Sequence, residues 1–214
     1  MQPTPTPQLT YPISAPSHEP FRPTPQQMTV LEQLESSRGN IFLTGNAGTG
    51  KSYCIRQFQK RFEGNVLTLA PTGMAALAVQ GQTIHKFFNF PGRLLTPNQL
   101  PDLTEATRMT IQSLDVVIIE EISMVRSDVF CAFEQLLRTS QQGERRHIPF
   151  GGIRIVACGD PAQLPPVATA PDRFYLERLY GSIYAFNTDA WRDGVFEPLA
   201  LTEPCRQDDP GFLE

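Results

Sequence analysis

One short segment contains the residue types that bind a chain of phosphates. Residues 45–52 read GNAGTGKS, which fits the phosphate-loop pattern of glycines followed by a lysine and a hydroxyl residue. Its backbone N–H groups and a helix start would face the phosphates, Lys51 would contact the β- and γ-phosphates, and the Ser52 hydroxyl would bind Mg²⁺. The predicted nucleotide contacts are therefore Gly45, Asn46, Ala47, Gly48, Thr49, Gly50, Lys51, Ser52 and Tyr53.

Two adjacent carboxylates follow an apolar stretch, since residues 116–119 read VVII and precede Glu120 and Glu121. In phosphate-loop ATPases the first acid at such a strand end holds Mg²⁺ and the second polarises the attacking water. We therefore assign Glu120 to the metal and Glu121 to the role of general base. The usual first acid is aspartate, and Mg²⁺ requires near-octahedral geometry. The longer glutamate could slow hydrolysis, or the neighbouring backbone could adjust.

A third polar segment, residues 159–166 with the sequence GDPAQLPP, follows another apolar stretch. The amide of Gln163 can contact both a γ-phosphate oxygen and the attacking water, which predicts a sensor of the nucleotide state. Asp160 would support this site without contacting the nucleotide directly.

The elements that must position these groups alternate along the chain. Thr24, Pro25 and Gln27 predict a capped helix start at the beginning of the ordered region. Apolar stretches predict strands at 41–44, 66–70, 116–120, 153–158 and 199–202, and the segments between them predict helices at 51–62, 72–80 and 126–139.

The predicted strands are apolar throughout, which is typical of strands covered by helices on both faces. We therefore predict an α/β fold, a phosphate-loop NTPase with a mostly parallel sheet. Ligands of such sheets bind at the carboxyl ends of the strands, where all three polar segments fall.

The composition of the chain limits the kinds of protein to which it can belong. The chain has 214 residues and a net charge of −4, so any contact with nucleic acid must be local. No apolar run is long enough to span a membrane, and the start does not resemble a signal peptide. Four widely spaced cysteines predict reduced thiols rather than a metal site; they are Cys54, Cys131, Cys158 and Cys205.

Two stretches do not fit the alternating pattern. Residues 1–23 contain seven prolines and predict a disordered arm. Residues 88–105 contain prolines and a glycine between scattered leucines, and predict a loop or small insert.

Taken together, these segments resemble the Pif (petite integration frequency) family of DNA helicases, which is RecD-like and belongs to superfamily one B. The resemblance covers residues 24–214 and rests on six segments in order. They are GNAGTGKS at 45–52, APTGMAA at 70–76, GQTIHKFF at 81–88, IEEISMV at 119–125, the GDPAQLPPV segment at 159–167 and CRQDD at 205–209. The acidic segment departs from the family pattern at Glu120.

The resemblance implies further roles for individual residues. Gln27 would read the adenine base, although a capping-box role competes with this. Arg206 would reach the γ-phosphate, unless it is a surface arginine. Single-stranded DNA would contact Thr72, Gly73, Thr83 and His85, with a half-buried structural histidine as the alternative for His85. Three aromatic residues could stack bases, but we prefer a core or hinge role for them: Phe87, Phe88 and Phe90.

The resemblance also implies ATP and Mg²⁺ as cofactors, single-stranded DNA as a partner and movement from 5′ to 3′. Roles in DNA repair, recombination and telomere maintenance would follow. We expect a monomer, nucleoid-associated in a bacterial cytoplasm or nuclear or mitochondrial in a eukaryote. The family's second RecA-like domain would follow Arg206, so we expect this chain to lack that partner domain and not to unwind DNA alone.

Two other functions compete with the motor domain of an ATP-dependent DNA helicase. One is a nucleotide-binding module that is inactive alone, because the second domain is absent and Glu120 replaces aspartate. The other is an unrelated phosphate-loop ATPase, which the TIH residues at 83–85 and the QLPP residues at 163–166 disfavour.

Overall fold

Six parallel strands form the central sheet. In the computed structural model, which describes residues 23–204, the strand order is β3-β2-β4-β5-β1-β6 and every neighbouring pair is parallel. The strands are β1 (Asn40–Gly45), β2 (Val66–Ala70), β3 (Gln82–Thr83), β4 (Val116–Ile119), β5 (Arg154–Gly159) and β6 (Phe196–Leu201). The predicted parallel α/β sheet is confirmed.

Helices cover both faces of this sheet. They are α1 (Pro25–Ser36), α2 (Lys51–Arg61), α3 (Gly73–Ala78), α4 (Ile84–Phe88), α5 (Glu105–Ser113), α6 (Ser127–Thr139), α7 (Ala170–Tyr180) and α8 (Asp189–Gly194). Short 3-10 turns occur at Ile122–Met124, Gly143–His147, Pro149–Gly152 and Ala185–Asn187.

The alternating side chains of β4 separate two hydrophobic cores. Val116 and Ile118 pack into a smaller core with α1 and α2, whereas Val117 and Ile119 pack into a larger core with α4, α5 and α6. Successive residues of a strand point to opposite faces, so a strand buried on both sides is apolar throughout. This explains why the sequence of β4 shows no polar alternation.

The first helix begins as its sequence predicts. The Thr24 hydroxyl accepts a hydrogen bond from the backbone N–H of Gln27 at 3.2 Å, and the Thr24 N–H donates to Oε1 of Gln27 at 3.0 Å. Pro25 occupies the first turn, where a helix does not need its N–H. Most of the predicted proline-rich arm lies outside the described residues, as does Arg206.

Several elements were not predicted because their sequences carry little periodicity. The strand β3 has two residues and α4 has five. Helix α5 buries only Ile111 and helix α7 buries only Leu176, so each packs on the core through a single fully buried side chain.

The segment predicted as a loop or insert has no helix or strand between Asn89 and Thr104. Phe90, Leu95 and Leu103 are buried in the larger core together with Phe88, so the preferred core role of Phe88 and Phe90 is confirmed. Phe87 is half-buried and packs against the same core. None of the helices in residues 23–204 is long and apolar enough to cross a membrane.

A buried ion pair holds this loop against the start of α6. Arg126 donates to both carboxylate oxygens of Asp128, at 2.9 and 2.7 Å, and also to the carbonyl oxygen of Arg93 at 3.3 Å. The same carboxylate accepts from the N–H of Leu95 at 2.8 Å. The side chain of Asp128 is fully buried, so this pair is shielded from water.

We expect Asp128→Ala to lower the free energy of unfolding by about 3–5 kcal/mol, because it leaves the Arg126 charge buried without its partner. Urea denaturation followed by circular dichroism would measure this. Glu177→Ala is the control, since its pair with Arg173 is exposed, and it should cost less than about 1 kcal/mol. Equal effects of the two substitutions would contradict the proposed role of the buried pair.

Candidate nucleotide and nucleic-acid site

The predicted phosphate loop joins the carboxyl end of β1 to the start of α2. A side chain at Gly45 would collide with the carbonyl oxygen of Leu201, because β6 passes directly alongside. Gly50 precedes α2 with a φ of 90°, a left-handed conformation that glycine adopts without steric cost. The loop therefore has both the close packing and the backbone turn that its glycines predict.

Lys51 is held inside this loop by the loop itself. Its ammonium group donates to the carbonyl oxygens of Gly45 at 2.6 Å and Asn46 at 3.0 Å. The Thr49 hydroxyl donates to the same Asn46 carbonyl at 2.9 Å. Ser52 is half-buried in the first turn of α2, and the half-buried Tyr53 packs against the smaller core.

Gln27 links the first helix to the phosphate loop. It is buried, and its Nε2 atom donates to the carbonyl oxygen of Thr49 at 3.0 Å, while its Oε1 atom accepts from Thr24. The capping-box role is thus observed directly. The adenine-reading role stays a prediction.

The first carboxylate after β4 lies under the phosphate loop in a buried position. Glu120 is 3% exposed, and burial raises its pKa to about 7, with the neighbouring charge of Glu121 adding to the rise. The Cys158 thiol and the positive charges of Lys51 and Arg56 act in the opposite direction. Among the described residues, the Oε1 atom of Glu120 has no hydrogen-bond partner.

The second carboxylate, Glu121, is less buried and has a left-handed backbone with a φ of 52°. A non-glycine residue in this conformation is strained, and such strain is concentrated at functional sites. The turn directs the chain away from β4 into the Ile122–Met124 3-10 turn.

At the end of β5, Asp160 fixes the orientation of Gln163. Its carboxylate accepts from Nε2 of Gln163 at 2.9 Å and from the N–H of Ala162 at 3.0 Å. These two hydrogen bonds lower the pKa of Asp160. Gln163 is exposed, and because its nitrogen faces Asp160, its Oε1 atom is left to accept a hydrogen bond from water.

The residues predicted to contact DNA lie further along the same edge, after β2 and β3. The Thr72 hydroxyl caps α3 by accepting from the N–H of Ala75, and the Thr83 hydroxyl caps α4 by accepting from the N–H of Lys86. Gly73 is exposed, with open space where a side chain would stand. The pairing of Ala70 with Thr83 places both caps beside each other.

His85 lines a cavity of about 150 Å³ together with Thr72, Met124 and Arg126. Burial and the positive charge of Arg126 lower the pKa of His85, so the imidazole is neutral near pH 7. It would therefore act through hydrogen bonds rather than charge. Sequence reasoning missed Arg126 here, because its distance from His85 along the chain gives no sign that both reach one cavity.

The family model for PIF1-like helicases matches residues 24–212. The chain belongs to this family. Among curated relatives, the ATP-dependent DNA helicase Pif1 of Bdellovibrio bacteriovorus is 33% identical over 93% of this chain and 43% of its own length. The human ATP-dependent DNA helicase PIF1 is 34% identical over 94% of this chain and 30% of its own length.

Solved structures of the PIF1-like family share this fold. A Bacteroides Pif1 helicase crystallised with ADP-AlF3 and single-stranded DNA superimposes with a TM-score of 0.81 at 30% identity, covering 89% of this chain and 44% of that one. The Candida albicans Pif1 helicase gives a TM-score of 0.70 at 29% identity, covering 87% and 41%. The chain therefore spans less than half the length of these relatives.

The raised pKa of Glu120 predicts a pH dependence of stability. Its folded pKa of about 7 exceeds its ordinary value of 4.5, so between these pH values the folded chain binds more protons than the unfolded chain. Stability should then fall as pH rises through this window, by up to about 3 kcal/mol. Glu120→Gln removes the titrating group and should reduce this fall.

Urea unfolding at pH 5 and pH 8, without Mg²⁺, would measure the difference. Glu63→Gln at an exposed position is the matched control and should keep the wild-type profile. A wild-type profile in Glu120→Gln would show that Glu120 does not carry the effect.

Proposed function

We propose that this chain is the motor domain of an ATP-dependent DNA helicase, which hydrolyses ATP and couples hydrolysis to single-stranded DNA. One observation carries the proposal, namely that β4, β5 and β1 are neighbours whose carboxyl ends hold the acidic pair, Gln163 and the phosphate loop. The names of the curated relatives, ATP-dependent DNA helicases, support it. They do not favour the alternative of a nucleotide-binding module without turnover.

The geometry supports a separate role for each group in ATP hydrolysis. The backbone N–H groups of the loop and the Lys51 ammonium would bind the β- and γ-phosphates. Glu121 would accept a proton from the attacking water. Gln163, oriented by Asp160, would hold that water in line with the γ-phosphate through its free Oε1 atom.

The donor set also fits Mg²⁺, which prefers oxygen ligands. The Ser52 hydroxyl stands in the first turn of α2, and the buried Glu120 has an oxygen without a partner among the described residues. These two residues would hold the ion, which supplies positive charge to the phosphate oxygens during transfer.

Single-stranded DNA would lie across the carboxyl edge of β2 and β3. Hydroxyl groups and backbone N–H groups at Thr72, Gly73 and Thr83 suit contacts to the phosphate backbone without reading base sequence. His85 would add a neutral hydrogen-bonding group from the adjoining cavity. The name of the Bacteroides structure, which includes single-stranded DNA, supports this class of ligand. We propose the family's 5′ to 3′ direction.

Unwinding would require a second RecA-like domain, with residues 24–214 forming the first. Two domains that open and close around ATP can pass a DNA strand from one to the other. Arg206 would reach the γ-phosphate near their boundary. We propose that the motor acts as a monomer.

A turnover assay with and without single-stranded DNA tests this function. Lys51→Ala should abolish ADP binding and lower turnover at least about 100-fold, because it removes the charge on the phosphates. Glu121→Gln should lower turnover about as strongly while ADP binding persists, because only the base is lost. Lys60→Ala and Glu63→Gln, both exposed, are the matched controls.

ADP binding that survives Lys51→Ala would argue against a phosphate loop. Wild-type nucleotide binding without any turnover would instead favour the inactive module.

Gly73→Asp tests the DNA contacts without disturbing the fold. Open space surrounds this position, and a carboxylate at the first residue of α3 suits the helix dipole. The new charge should repel a phosphate and weaken single-stranded DNA binding about tenfold in a fluorescence anisotropy titration.

Gly39→Asp is the matched control, because it adds the same charge at the exposed segment before β1, the opposite edge of the sheet. Equal weakening by both variants would indicate a general charge effect and would contradict a contact at Gly73.

A further inference from the structure

The glutamate at the end of β4 has a side chain one methylene longer than that of aspartate, so the site must accommodate a longer side chain. Glu120 does not extend into solvent but is 3% exposed. A buried carboxylate needs partners to offset the loss of water. The residues that pack against it therefore decide where its oxygens point.

Strand pairing places Cys158 directly beside Glu120. In the parallel register of β4 and β5, Ile118 lies opposite Val156 and Ile119 lies opposite Ala157, so the next pair along both strands is Glu120 and Cys158. Ile118, Val156 and Cys158 all pack in the smaller core, which also contains α2. The side chain of Glu120 thus projects on the face that carries the phosphate loop.

Both side chains lie in a shielded environment. Cys158 is fully buried, and hydrogen bonding from the neighbouring thiol lowers the pKa of the Glu120 carboxyl group. The Oε1 atom of Glu120, in contrast, has no partner among residues 23–204. A thiol is a weak hydrogen-bond donor and a poor ligand for Mg²⁺, so Cys158 is suited to orient the carboxylate and not to bind the metal.

We propose that Cys158 is a positioning residue for Glu120. Its thiol donates to the carboxylate, and its small side chain leaves room for the additional methylene, so that the unpartnered oxygen is presented to the metal. This inference rests on the Mg²⁺ and nucleotide part of the proposed function.

A purely structural role for Cys158 in the core predicts a different effect of its substitution on nucleotide binding. If the thiol only occupied core volume, alanine or valine would change stability but would leave the effect of Mg²⁺ on nucleotide binding unchanged. A positioning role predicts that removal of the donor changes the metal-dependent part alone. ADP affinity with Mg²⁺ and with a chelator separates these cases.

The experiment measures ADP binding by the full 214-residue chain with a fluorescent ADP analogue, in Mg²⁺ and in EDTA. Cys158→Ser keeps a hydrogen-bond donor. Cys158→Ala and Cys158→Val both remove the donor, and they change the side-chain volume in opposite directions. Cys131→Val is the matched cysteine control. Each is repeated in a Glu120→Asp background. Lys51→Ala reports on the phosphate loop independently.

We expect Cys158→Ala and Cys158→Val to weaken ADP binding in Mg²⁺ on the order of tenfold, as loss of a supporting partner of a metal ligand does. Binding in EDTA should not change, Cys158→Ser should retain most of the Mg²⁺ effect, and Cys131→Val should match the wild type. In the Glu120→Asp background the loss should be smaller, because the shorter carboxylate depends less on the thiol.

Three results would overturn the proposal: an unchanged Mg²⁺ effect in Cys158→Ala, an equal loss in EDTA, or an equal loss in the Glu120→Asp background. Under any of these three results, the phosphate loop would still be supported if the wild type binds ADP and Lys51→Ala does not. Absence of wild-type ADP binding would instead overturn the proposed function together with this inference.

Discussion

The parallel pairing of β4, β5 and β1 is the constraint on which the arrangement of the site depends. Each strand ends at the same edge, and each is followed at once by a segment with polar side chains. Because neighbouring strands are hydrogen-bonded and β4 and β5 are buried on both faces, their ends cannot shift independently. The distance between the acidic pair and the phosphate loop is thus set by the spacing of strands and not by flexible loops.

The acidic composition of the chain is compatible with its proposed ligands, because phosphate recognition here does not depend on net charge. The loop offers backbone N–H groups and one ammonium, which act over a few ångströms. The pKa of each nearby carboxyl group is set by its own surroundings. Burial raises the pKa of Glu120, and hydrogen bonds lower the pKa of Asp160. A small number of local contacts therefore outweighs the overall charge of −4.

The parts of the fold that carry strong local signals could be predicted from the sequence. Strand β2 has the predicted boundaries, and the cap at Thr24 forms both predicted hydrogen bonds. Helices α5 and α7 were not predicted, and each buries a single residue, so packing on the core constrains little of either sequence.

The placement of the candidate site residues was predictable where a motif fixed the spacing, as for Lys51 and Gln163. It was not predictable where strand pairing creates the contact. Burial and the charge of Arg126 lower the pKa of His85, and Cys158 contributes to the environment of Glu120; both partners lie on other elements of the chain. No pattern within a single segment contains such information, since it arises only from register and burial.

The hydrogen bonds from Lys51 to two carbonyl oxygens of its own loop have a consequence for the energetics of nucleotide entry. The positive ammonium group stabilises the two carbonyl oxygens that point towards it. The loop uses two of the three N–H donors of this ammonium, so one N–H is left for an incoming phosphate. The loop therefore positions this positive charge before any ligand arrives.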